Sequence, residues 1–250
     1  GDGVRIYKRS LQFLLAFAMH KMMPHCKLKI SHSVSNGVYC TVEGVKADEE
    51  LASKLEAEMK RLVSLELPIE EVIVNKKEAV KILEKQGRED SIMVLDYLDE
   101  DKVTFYKCQD YYDSFFSSIV ANTRYLKVFS IRYHEDGLVI VHPVRYDSSH
   151  VAVYNPSEKL FRVFTENKEW GKILELDTVG QLNKMAKNGE IHEMILVSEA
   201  LQSKKINEIA DEITRLGRKL VLISGPSSSG KTTFSRRLAI ALRVNGIKST

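Results

Sequence analysis

"RSLQFLLAFAMHKMMPHCKLKISHSVSNGVYCTVEG", Arg9 to Gly44, holds one periodicity and then another. From Ser10 to about Met23 apolar residues occupy most faces of a helical run, with Ser10 as a candidate N-cap and Pro24 as a stop. A helix apolar nearly all round is one that a core encloses. The pattern then becomes two strands, "KLKIS" and "GVYCTV", joined through "HSVSNG" with Asn36-Gly37 as the turn. A buried helix followed by a hairpin predicts an α+β domain. The apolar stretch "LQFLLAFAM" is about half the length a bilayer span needs. It has no basic flank or small-residue cleavage site, so it reads as neither a membrane span nor a signal peptide.

Working outward, "DEELASKLEAEMKRLVSL" (Asp48 to Leu65) has helical spacing, with acids first and bases later, as the helix dipole favours. "IEEVIV" reads as a strand, and Lys76 to Gln86 as a short helix closed by Gly87. "KVTFYKC" and Tyr125 to Tyr146 are alternating β-rich runs, the latter a hairpin turning at Glu135-Asp136-Gly137. Beyond Tyr154 the sequence turns mostly helical, with Gly189 and Gly217 as stops, until "RKLVLISG" offers a strand. The expected division is a mixed domain over 1–154, a helical connector over 155–217, and the opening of an α/β domain over 218–250.

With 44% hydrophobic residues in 250, the chain can bury a core. Thirty-seven Lys and Arg against 34 Asp and Glu leave +3, too little to imply nucleic acid by itself. Cys26, Cys40 and Cys108 form no C-x-x-C pair, which argues against a zinc ribbon and a disulfide framework and for a reduced, cytoplasmic protein.

Gly225-Pro-Ser-Ser-Ser-Gly230-Lys231-Thr232 matches the phosphate-binding loop G-x-x-x-x-G-K-[ST], between an apolar β-branched run and a helical one. Gly225 and Gly230 permit torsions and close approaches that a Cβ would obstruct. The amides from Ser227 through Ser228, Ser229, Gly230, Lys231 and Thr232 to Thr233 would surround a phosphate at a helix N-terminus. Lys231 would reach the β- and γ-phosphates of ATP, and the Thr232 hydroxyl would ligate Mg2+.

The remaining polar candidates have plainer readings. His20, His25 and His32 lie near Cys26, but on a helix, after it and past a strand, at no common ligand spacing. His134 sits beside a hairpin turn, His142 and His150 flank a strand end, and His192 sits at a helix entry. Phe105, Tyr106, Tyr111, Tyr112, Phe115 and Phe116 could stack bases, yet only Lys107 is interleaved among them, so core packing is the better reading.

"GPSSSGKTTF" resembles the loop of the uridine kinase and phosphoribulokinase family over Lys219 to Thr250. Arg9 to Gly44 resembles the start of the editing-type second domain of threonyl-tRNA synthetases, and the likeness continues through "FYKCQDYYD" and "YLKVFSIRYHEDG" to about Val144. In that family a His-x-x-x-His on the first helix joins a later Cys-x-x-x-His to form the metal or deacylation site. The matching positions here are Arg9, Phe13, Cys108 and Tyr112, so only the cysteine is kept. One cysteine cannot hold a metal, and no imidazole remains as a base.

Together the two halves resemble bacterial uridine kinase-like nucleoside kinases in which a synthetase-like region precedes the kinase. That resemblance implies a middle piece of a longer protein, ATP and Mg2+ as cofactors, uridine or cytidine as the nucleoside substrate, and an oligomer left open. Three functions compete. The first is a nucleoside kinase; the second is a tRNA-editing-type hydrolase, weakened by Arg9, Phe13 and Tyr112. The third is a silent module sensing RNA or an amino acid.

Overall fold

The computed structural model describes residues 2–144 and 147–248. The chain forms two compact units, residues 1–168 and 169–250.

The first unit opens with α1 (Asp2–Met22), which begins eight residues earlier than Ser10 predicts. Ser10 lies inside the helix, fully buried: its Oγ donates to the Ile6 carbonyl at 2.7 Å and accepts from the Val120 amide at 2.9 Å. Its hydroxyl therefore ties a loop to the helix instead of capping it, a use that local sequence does not signal. α1 is followed by β1 (Lys27–Val34) and β2 (Gly37–Glu43), paired antiparallel with Val34 opposite Gly37. The turn is thus Ser35-Asn36, with Ser35 at φ 49°, one residue earlier than expected.

Next come α2 (Glu49–Ser64), whose cap Asp48 accepts from the Leu51 amide at 2.8 Å, and β3 (Glu70–Asn75). α3 (Lys76–Lys85) is capped by Asn75, and the short α4 (Glu89–Leu95) was not legible from periodicity. β4 (Lys102–Cys108), β5 (Tyr111–Asp113), β6 (Ser130–His134) and β7 (Gly137–Val141) complete the strands. Arg145 and Tyr146, at the end of the predicted β-rich run, lie outside the described residues.

Two antiparallel sheets result, one ordered β1-β2-β7-β6 and one β3-β4-β5. α1 and α2 cover one face of the larger sheet, where Phe13, Phe17, Leu55, Met59 and Leu62 have no exposure. Its other face packs Val34, Tyr39, Val139 and Val141 under Phe161 from α5 (Glu158–Ile173). Central β7 is therefore buried on both sides, which is why "GLVIV" is continuously apolar. A Cβ on Gly37 would come within 2.5 Å of Val139 Cγ1 and 2.8 Å of the Ile140 oxygen, so glycine serves here for strand approach. α3 and α4 pack on the smaller sheet through Ala79, Leu83, Leu95, Val103 and Phe105.

The second unit contains α6 (Val179–Asn188), opened by a Thr178/Gln181 capping box, and α7 (Ile191–Arg215). α7 pairs with α8 (Lys231–Val244) through Ile206, Ala210, Leu238, Ala241 and Leu242. The expected strand at Leu220 to Ile223 does not form among the described residues, and the α/β kinase opening is corrected accordingly. Leu220 and Leu222 stand 77% and 84% exposed. A strand needs neighbours to pair its amides and cover its faces, and among the described residues this segment pairs with no strand. Among the described residues no helix is long and apolar enough to cross a membrane.

Candidate functional site

α1 places Arg9 and Phe13 one turn apart on a common face, where the editing-type resemblance puts two histidines. Phe13 is completely enclosed by rings, with centroids 5.4 Å from Tyr111, 6.3 Å from Phe115 and 6.5 Å from Phe17. Phe17 stacks on Tyr111 at 5.7 Å and 27°. Cys108 and Tyr111 face each other across the β4–β5 turn, in which Gln109 takes φ 56°. Lys21 Nζ donates to Gln109 Oε1 at 2.9 Å above this turn.

Cys108 has no exposure, and burial pushes its thiol up to about 11, with Lys21 opposing. Such a thiol stays protonated at neutral pH and is a poor nucleophile or metal ligand. Tyr112, one residue beyond Tyr111, projects to the opposite face of the strand. It packs in the smaller sheet's core, edge-on to Phe105 at 6.2 Å, with Lys107 Nζ 5.6 Å from its ring centre. The four positions therefore do not converge. Phe13 and Cys108 share one core, Tyr112 belongs to another, and Arg9 is half-buried on the helix. This arrangement does not fit a metal, and among the described residues no group of three His, Cys, Asp or Glu side chains could hold one.

A polar cluster beside the aromatic centre has no signature in the sequence. Arg88 pairs with Asp113 at 3.1 Å, and the Tyr111 hydroxyl donates to the same carboxylate at 3.0 Å. Burial first, then the Asp113 charge, raises the Tyr111 phenol well above its ordinary range. Tyr111 and Asp113 are neighbours on β5, and only the fold brings Arg88 to them.

The phosphate-loop residues lie together in the second unit. Ser228 at φ 61° and Gly230 at φ 77° turn the chain into α8, whose first turn has no side-chain cap. A Cβ on Gly225 would stand 2.9 Å from Ser229 Oγ, so that glycine keeps the loop tight. Lys231 Nζ folds back onto the loop and donates to the Gly225 carbonyl at 2.8 Å and to that of Pro226. Ser227, Ser229, Thr232 and Thr233 are exposed. Uncapped amides, a lysine within the loop and an adjacent hydroxyl form a donor set that suits a phosphate chain with Mg2+.

Of the remaining candidates, His32 and His134 pack against rings, whereas His25, His150 and His192 are exposed. His32 stacks on Phe164 at 3.8 Å and 12°, while His134 meets Phe161 edge-on at 4.7 Å. Phe105, Tyr106 and Tyr111 are buried, whereas Phe116 is fully exposed.

No family model matches the sequence. The chain is 32% identical over 177 residues to the threonine–tRNA ligase of Thermoplasma volcanium, covering 68% of this chain and 26% of that protein. It is 29% identical over 132 residues to the threonine–tRNA ligase of Carboxydothermus hydrogenoformans (52% and 21%) and 30% over 134 residues to that of Fusobacterium nucleatum (52% and 22%). The chain thus spans about a quarter, or less, of the length of these curated relatives. They are tRNA ligases, so the expected nucleoside kinase is corrected, and nothing in these similarities points to a uridine or cytidine substrate. Half to two thirds of the chain is threonyl-tRNA-synthetase-like in sequence.

Proposed function

We propose that residues 1–154 are an RNA-associated domain of the threonyl-tRNA-synthetase editing type that binds without hydrolysing. The observation behind binding over hydrolysis is the enclosure of Phe13 by Tyr111, Phe115 and Phe17, with Tyr112 on the opposite face of its strand. Hydrolysis of an aminoacyl ester needs an activated water or a nucleophile paired with a base. A filled aromatic core and a protonated thiol supply neither. The experiment is a paired measurement on mischarged tRNA, with binding by fluorescence and deacylation by loss of the esterified amino acid. Binding with deacylation at the spontaneous rate is expected, and catalysed deacylation overturns the reading.

Residues 155–217 connect this domain to residues 218–250, in which Gly225, Ser227 to Thr233 and the N-terminus of α8 bind the phosphates of ATP. Lys231 supplies the charge for the phosphates and Thr232 the hydroxyl for Mg2+. The uncapped start of α8 and the exposed hydroxyls of Thr232 and Thr233 within its first turn support this second assignment.

A further inference from the structure

On the first unit, α3 carries Lys77, Lys81 and Lys85 at intervals of four, which places them on one face about 6 Å apart along the axis. All three are exposed, and none makes an ion pair among the described residues. Like-charge pairs at this spacing disfavour a helix, so the stripe opposes local stability.

The stripe borders a groove of about 790 Å3, lined also by Asn75, Ile82, Gln86 and Tyr112. Tyr112 is held there by the Gln86 side chain, whose Nε2 donates to the Tyr112 carbonyl and whose Oε1 accepts from the Tyr112 amide, each at 2.8 Å. Glu78 and Asp110 also line the groove, so three lysines stand against two carboxylates there. Lys107 Nζ stands 5.6 Å from the Tyr112 ring centre.

We infer that the groove between α3 and Tyr112 is where RNA docks on this domain, through its phosphate backbone. The proposal rests on the RNA-associated reading and adds a location to it. Three exposed, evenly spaced ammonium groups complement a chain of phosphates better than a single compact anion. Lysines act as point charges that position a backbone without reading bases. The position that carries a ligating histidine in the editing-type resemblance is occupied here by a tyrosine fixed in this basic groove.

The test uses the whole 250-residue chain and a fluorescently labelled tRNA transcript, titrated at several salt concentrations. It compares wild type with Lys77→Ala/Lys81→Ala/Lys85→Ala, with the triple arginine substitution at the same positions, and with Lys27→Ala/Lys46→Ala/Lys159→Ala as a control removing equal charge elsewhere. The stripe variant should bind at least tenfold more weakly. The slope of log affinity against log salt should shrink by about two to three, near 0.9 for each phosphate that is no longer neutralised. The arginine variant and the control should stay within about twofold of wild type. Alanine is the better helix former, so loss of the helix is not expected to mimic the effect. If wild type binds and the stripe and control variants weaken equally or not at all, the groove assignment is wrong while the RNA reading stands. If wild type binds no tRNA, both fall.

Discussion

The Phe13 ring meets that of Tyr111 at 61° with 5.4 Å between centroids, an edge-to-face contact in the place where an editing-type site would need open space and imidazole. Because Phe13 has no exposure, Phe13→Ala should lower stability by about 3–5 kcal/mol, read from urea unfolding. Restoring histidines by Arg9→His/Phe13→His/Tyr112→His should not create a zinc site, since Tyr112 lies on the other face of its strand. Metal analysis after dialysis checks this, and one tightly bound zinc per chain would contradict the geometry.

Gly37 and Gly87 separate two reasons for glycine. At Gly37 an added methyl would collide with Val139 and the Ile140 backbone in the neighbouring strand. At Gly87, with φ 65°, a Cβ would meet nothing within 4 Å and only the torsion is unfavourable. Gly37→Ala should therefore cost about 3 kcal/mol, at the upper end for overpacking, and Gly87→Ala about 1 kcal/mol. Chemical denaturation of both variants gives the order, and equal losses would refute the close-approach argument.

The helices after Asp48, Asn75 and Thr178 are legible from their periodicity, which does not single out these three caps. Alternation is expected across the β7 run, which is instead continuously apolar because both its faces are covered. Ser10 and Leu220 to Ile223 misled for opposite reasons. Ser10 has the chemistry of a cap, but its partner Val120 is 110 residues away. Leu220 to Ile223 have the composition of a strand, but composition supplies no neighbouring strand. The site divides likewise: Gly225, Lys231 and Thr232 lie in one short motif and are legible, whereas Arg88 reaches Asp113 and Tyr111 only through tertiary packing. The face on which Tyr112 lies depends on where the β4–β5 turn falls, which a short strand does not announce.

Alkaline pH should loosen the first unit. Burial, reinforced by Asp136 and Glu135, pushes the Tyr39 phenol up to about 12, and burial does the same for Tyr154 and for the Cys40 thiol. All three groups are neutral in the fold, with pKa values above their ordinary 10.0, 10.0 and 9.0. The stability they contribute is complete below about pH 9 and is lost as pH rises through about 12. The urea midpoint should therefore fall steadily between about pH 9 and 11. Tyr39→Phe, which keeps the ring contacts, should show a shallower fall. An identical fall in that variant would exclude Tyr39 as a contributor.

The phosphate loop gives the last prediction, and it concerns affinity. In a mature loop the preceding strand is fixed inside a parallel sheet, which holds the amides and the helix N-terminus in place. Here Leu220 to Ile223 form no strand, and α8 is secured mainly by α7, through Leu238 and Leu242 and the bond from Asn245 Nδ2 to Asp211 Oδ1 at 2.8 Å. Lys231 must also leave the Gly225 and Pro226 carbonyls before it can reach a phosphate. Both requirements weaken binding, so calorimetric titration of this 250-residue chain with Mg-ATP should show no saturation below the millimolar range. Above it, nuclear magnetic resonance shifts of the Ser227 to Thr233 amides should move with ATP and stay still in Lys231→Ala. Micromolar affinity would mean that the loop is preorganised without a sheet. Amides unmoved at tens of millimolar ATP would mean that the donor set does not bind phosphate, leaving Gly225 to Thr233 as an ordinary helix entry.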